Sequence, residues 1–341
     1  MNRSMKHATS LAVAGCLALA AASGCEGPGA YEGENGDINF EHETGTAFST
    51  PRLVLGGELV LDATDPDNDF GVSVVTATST DPSVVEVLAI DDSDITVRGT
   101  GVGQAELEVE AEDFGGAPIG DTLTIDVREP ARHELSHECT GEPMAYYLPN
   151  RTYELPVKVF GPQDKRLAGE RVTLVEAQGD AVEVDAERST TRELVVRSKD
   201  AGATSTLRST VNGSELTVGV RAMAEADGVT TGSLVLGTVE DGEPFRVGSV
   251  DGLGIHPSVE GTPICGYGVP MVIEPKTPEI CTLGNEVGEE ITERYESSTN
   301  IVLVVADEAG SCEFDVSLRD PQTETVLEKT ISVEILAEAD Q

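Results

Sequence analysis

Gly103-Gln-Ala-Glu-Leu-Glu-Val-Glu-Ala111 is the stretch on which the fold turns. Ala105, Leu107, Val109 and Ala111 alternate with Gln104, Glu106, Glu108 and Glu110. A period of two puts every apolar side chain on one face of an extended strand and every polar one on the other. Shorter runs of the same character surround it: Leu53 to Leu55, Leu59 to Leu61, Val72 to Val75, Val84 to Leu88, Ile95 to Val97 and Leu123 to Val127. Gly56-Gly57, Thr80-Asp81-Pro82-Ser83 and Gly101-Val-Gly103 punctuate them as turns. Strands this short and this amphipathic, with no helical stripe competing, predict an antiparallel β-sandwich over 46–129.

A fainter copy follows. Gly310-Ser-Cys-Glu-Phe-Asp-Val316 repeats Gly103-Gln-Ala-Glu-Leu-Glu-Val109, with a β run before it (Ile301 to Val305) and another after it (Lys329 to Ile335). The middle of the chain offers Glu193 to Val196, Gly202 to Leu207 and Leu216 to Val220 in the same order. The repeat predicts tandem sandwiches at 46–129, 131–225 and 229–337, the last with a long Gly- and Pro-rich insertion. Ser79-Thr-Asp-Pro-Ser-Val-Val-Glu-Val87, taken with Ile95 to Val109, resembles the bacterial Ig-like domain of the Big-2 type. That resemblance implies tandem immunoglobulin-like antiparallel β-sandwiches of the kind frequent in cell-surface proteins, and it brings no catalytic residues.

The amino terminus gives an address. Arg3 and Lys6 precede an apolar run from Ala8 to Ala22, and Ser23-Gly24-Cys25 closes it. A basic start, an apolar core and small residues at a cleavage point form a secretory signal peptide over 1–24. With cysteine next, the segment resembles the lipobox of bacterial lipoproteins. The resemblance implies that Cys25 receives diacylglycerol and, once the leader is removed, an acyl chain such as palmitate on its new amino terminus, and that the chain is anchored to an inner or outer membrane, facing periplasm or cell surface. Val13-Ala14-Gly15-Cys16 is a second match, with a shorter apolar stretch before it. Residues 25–45, rich in glycine and acid, read as a flexible tether.

Charge excludes one class of partner. The 341 residues hold 62 acidic against 22 basic side chains, a formal net charge of −40. Such a surface repels nucleic-acid phosphates, so no nucleic-acid partner is expected. Beyond the lipid bilayer, the expected partner is a protein or glycan of the cell envelope. Cys139, Cys265, Cys281 and Cys312 are disulfide candidates, since four cysteines in an exported chain allow two bridges in three connectivities.

Two motifs suggest chemistry. Asp62, Asp65, Asp67 and Asp69 stand before Gly71 in a loop that could offer oxygen ligands to calcium, without the bidentate glutamate or helices of an EF-hand. No cofactor is expected unless calcium binds this loop, and a calcium-stabilised adhesin is the nearest alternative function. His133-Glu134-Leu135-Ser136-His137 resembles the zincin motif, in which His133 and His137 would hold zinc and Glu134 would activate water. Pro130 and the turn Cys139-Thr-Gly-Glu-Pro143 leave too little room for the helix that site requires, and as a strand the two histidines share a face opposite Glu134. The expectation is a non-catalytic structural, adhesive or protein-binding role, with a zinc-dependent hydrolase as the alternative from another class.

Overall fold

The computed structural model describes residues 29–42, 50–66, 70–172, 174–234, 245–266, 269–285, 287–320 and 322–337. The described residues are all-β and contain no α-helix. They fall into two compact units, one formed by Glu26–Thr230 with His256–Tyr267, the other by Thr231–Ile255 with Gly268–Gln341.

The first unit begins with a sandwich of nine strands: β1 (Gly29–Glu32), β2 (Asn39–His42), β3 (Arg52–Val54), β4 (Glu58–Thr64), β5 (Ser73–Ser79), β6 (Val85–Asp91), β7 (Asp94–Gly99), β8 (Gly103–Glu112) and β9 (Pro118–Arg128). One sheet runs β1-β2-β4-β7-β6 and the other β3-β9-β8-β5. All neighbours are antiparallel except β3, which lies parallel to β9. Alternation is strict along β8, where Ala105, Leu107, Val109 and Ala111 are buried against Leu59, Leu61, Ile95 and Val97 of the facing sheet. Burial of each leucine, valine or isoleucine among them stabilises by about 1.5–3 kcal/mol, which is what holds the layers together.

The span 25–45 departs from the expected tether. Its described part supplies β1 and β2, with Tyr31, Ile38 and Phe40 buried in the sandwich core. The reason lies in Asp121, which is almost wholly buried and accepts hydrogen bonds from the backbone N–H groups of Asn35 (2.8 Å), Asp37 (2.8 Å) and Ile38 (3.0 Å). One carboxylate thereby satisfies the donors of an acidic turn that cannot bury itself by apolar contact.

A second sandwich follows in the same unit: β10 (Arg132–Leu135), β11 (Met144–Tyr147), β12 (Thr152–Phe160), β13 (Val175–Gly179), β14 (Val182–Val184), β15 (Glu193–Ser198), β16 (Thr204–Ser209) and β17 (Glu215–Val220). One sheet is β10-β12-β15-β14, and the other includes β13-β16-β17-β11. Thr262–Cys265 adds a strand beside β11, parallel to it, pairing Tyr146 with Ile264 and Tyr147 with Cys265. Residues far along the chain thus complete the middle module.

The second unit is also two-layered. Phe245–Arg246, Val326–Leu336, Gly310–Arg319, Met271–Pro275 and Tyr295–Ser297 form one sheet in that order. Against it, Ile301–Ala306 pairs with Cys281–Gly284 on one side and with Val250 to Gly254 on the other. Cys312, Phe314, Val316 and Leu318 are buried in alternation, as β8 is in the first sandwich.

Candidate functional site

His133 lies on β10 and is buried, whereas Glu134 beside it is exposed and ion-paired with Arg132. His137 lies beyond the strand, also buried, with its Nδ1 3.0 Å from the Tyr147 hydroxyl. Burial lowers the pKa of each imidazole from 6.5 to about 4. Neighbouring Glu138 is raised to about 7, chiefly by burial and then by the charge of Glu154. The extended backbone carries Glu134 to the face opposite His133, so the one-turn spacing that a zincin helix provides does not form. Among the described residues no three His, Cys, Asp or Glu side chains are grouped to hold a metal ion.

Of the acidic loop, Asp67 and Asp69 lie outside the described residues, as does Cys25. Asp62 sits on β4, paired across strands with Glu41 on one side and Asp94 on the other. Asp94 in turn pairs with Asp91 on β6. Four carboxylates therefore line one row across four strands. The Asp94 carboxyl is raised above its ordinary value by partial burial and then by the charges of Asp62, Asp91 and Asp92.

The four cysteines are joined as Cys139–Cys265 and Cys281–Cys312, with Cα separations of 5.5 Å and 5.6 Å. The first bridge pins Thr262–Cys265 to the middle sandwich, and the second crosses the layers of the other unit. Structural disulfides of this kind belong to chains that mature in an oxidising compartment outside the cytosol. No helix among the described residues is long and apolar enough to cross a membrane.

The strongest constellation was not anticipated from the sequence: the joint between the first two sandwiches. Only Glu129, Pro130 and Ala131 separate β9 from β10. Residues 166–172 reach back onto β3 and β4, where Ala168 N–H donates to Arg52 O (2.7 Å) and Val54 N–H to Ala168 O (2.9 Å). Glu170 and Glu58 exchange a further pair of backbone hydrogen bonds, at 2.7 and 3.0 Å. Glu58 is 5% exposed, and its carboxylate is held by Arg98 from its own sandwich and by Arg171 from the next, the latter at 2.7 Å. Val54, Val159, Leu167 and Val172 form a small core beneath. Sequence patterning does not reveal a glutamate whose partners lie 40 and 113 residues away. The brevity of the linker is the signal that was available.

No protein-family model matches the chain, and no curated protein matches it. Solved structures with similarity include surface layer protein SbsC, domains 4–9, at 13% identity and TM-score 0.27, covering 88% of this chain and 44% of that one. An endo-fucoidan hydrolase of glycoside hydrolase family 107 gives 12% identity and TM-score 0.24 over 87% of this chain and 44% of the other. The Bacteroides ovatus protein SGBP-B, solved with a mixed-linkage heptasaccharide, gives 13% identity and TM-score 0.23 over 84% and 66%. The chain thus spans less than half of the first two. TM-scores this low leave the activities of those proteins with those proteins.

Proposed function

We propose that this chain is a non-catalytic exported protein, held at a bilayer by lipid on Cys25, whose stiffly joined β-sandwiches are presented to a protein or glycan of the cell envelope. The joint between the first two sandwiches carries this reading. A flexible linker leaves adjacent modules free to swivel, which is the default for small polar interfaces. Here four backbone hydrogen bonds, a buried carboxylate shared by arginines from both modules and a local apolar core oppose that freedom. Stiffness between modules serves spacing and presentation, and it does nothing for catalysis on either one. The paired cysteines and the leader that resembles a lipoprotein signal support the same compartment.

Spin labels at Glu86→Cys and Glu215→Cys, both exposed, test the joint by electron–electron distance measurement. The expected distribution is narrow and broadens in Glu58→Gln, which removes the charge that both arginines hold. A broad distribution in the otherwise native chain overturns the stiff-joint reading. Cys25→Ala is expected to move the protein from the membrane fraction to the soluble one, and retention in the membrane overturns the anchor.

A further inference from the structure

A cavity of about 230 Å³ opens beside this joint, lined by Arg52, Asp126 and Arg128 of the first sandwich and by Gln163 and Lys165 of the second. Its charge is the reverse of the chain's. Acidic residues outnumber basic ones 62 to 22 along the sequence, yet three cations face one carboxylate in this wall. Asp126 is already engaged, with the Arg128 Nε 2.8 Å from its carboxylate. Lys165 makes no ion pair with any described residue. The neighbouring acid that could have neutralised it, Asp164, is taken instead by Arg132 at 3.1 Å. Arg132 is itself held in place over the Phe160 ring, 3.9 Å from its centroid.

The loop that carries Lys165 is held at a conformational cost. Gly161 N–H donates to Lys165 O (2.8 Å) to close a loop of three residues, Pro162, Gln163 and Asp164, of which the last two are left-handed, at φ 63° and φ 56°. Left-handed backbone favours glycine, asparagine and aspartate, so the cost falls on Gln163. Strained backbone of this sort persists where surroundings fix it, and it gathers at ligand sites. In this loop it places Gln163 and Lys165 in the wall of the same cavity as Arg52 and Arg128.

We propose that this inter-module cavity binds a single carboxylate group borne by a small organic acid or sugar acid. Planar guanidinium groups match a carboxylate's two oxygens, and the ammonium of Lys165 adds a third charged donor. A cavity this small takes one such group, while the net charge of −40 elsewhere opposes the approach of extended polyanions. The reading does not depend on the stiff-spacer role: it concerns affinity for a ligand, whereas that role is tested by distances between modules in the protein alone.

Calorimetric titration of the full mature chain with glucuronate, with glucose and with a polyuronate tests the assignment. Glucuronate is expected to bind, with affinity falling as salt rises, and glucose is not. Lys165→Gln, an exposed substitution that leaves the core untouched, is expected to weaken glucuronate about tenfold, the effect of losing one charge-assisted hydrogen bond. Arg128→Gln is expected to do the same from the first sandwich. The polyuronate is expected to bind no more tightly than glucuronate, and tighter binding of the polymer overturns the assignment to a small acid. Binding of glucose as strong as glucuronate, no binding of glucuronate, or unchanged affinity in Lys165→Gln overturns the proposal.

Discussion

Two carboxylates at opposite extremes of satisfaction show how much a single side chain decides in this protein. Asp121 is buried and accepts three backbone hydrogen bonds from the turn between β1 and β2, besides one from Thr122 (2.7 Å). Gly33 passes so close that a Cβ there would sit 2.2 Å from the Asp121 Cγ. Asp121→Ala should therefore lower stability by about 3 kcal/mol, since four backbone donors lose a charged acceptor at once. Chemical denaturation measures the loss, and proteolysis within residues 29–45 should accelerate with it. Asp94 is the converse, exposed and opposite Asp62 and Asp91 on its two neighbouring strands. Like charges directly opposite each other destabilise a sheet. Asp94→Asn should stabilise by about 0.5 kcal/mol or less, read as a small rise in Tm at neutral pH that added salt diminishes. A fall in Tm would mean that the Asp94 carboxylate has a favourable partner.

Among the elements, the strands that alternate were legible and those that rest on polar contacts were not. β8 and Gly310–Arg319 were readable from the repeat, and the structure shows why the repeat has glycine at its head: Gly103 and Gly310 have φ of 153° and 151°, in a region that side chains avoid. Each opens a ten-residue strand at the same place in its sandwich. β1 and β2 were hidden because Asp121, some eighty residues away, supplies what their own composition lacks. The return of Thr262–Cys265 to the middle sandwich was equally hidden, since four residues carry no pattern that names a partner. The Cys139–Cys265 bridge spans 126 residues and Cys281–Cys312 spans 31. On the chain-entropy account, closing loops of these lengths stabilises by about 5 and about 4 kcal/mol respectively. A Cys139→Ser, Cys265→Ser double variant should accordingly lower the denaturation midpoint of the unit containing β11 and leave the other unit's transition in place. Two transitions that shift together would overturn that expectation.

At the scale of the whole chain the histidines set an acid limit. His42, His133, His137 and His256 are buried, and each is lowered from 6.5 to about 4, mainly by burial. A folded pKa below the unfolded one means that the neutral ring stabilises the fold above pH 6.5. That contribution is lost as pH falls from 6.5 towards 4, because the unfolded chain takes up protons that the folded chain refuses. Glu138 acts in the opposite sense: its pKa of about 7 lets the folded chain hold a proton that the unfolded chain releases, so its contribution grows as pH falls from 7 towards the ordinary carboxylate value. Near pH 5 four imidazoles gain protons on unfolding and one carboxyl loses one, a net uptake of about three. Each proton is worth up to about 1.4 kcal/mol per pH unit, so the slope is steep. All four histidines belong to the unit that includes Glu26–Thr230 and His256–Tyr267, and none of the described residues of the other unit is histidine. Acid titration followed by calorimetry should thus show one transition falling sharply between pH 6.5 and 4 while the other moves little. His256→Asn, which cannot take up the proton, should flatten the sensitive transition by about one quarter of its slope or more. An unchanged slope in that variant would mean that His256 takes up no proton on unfolding and that its ring is a packing group without a titration role.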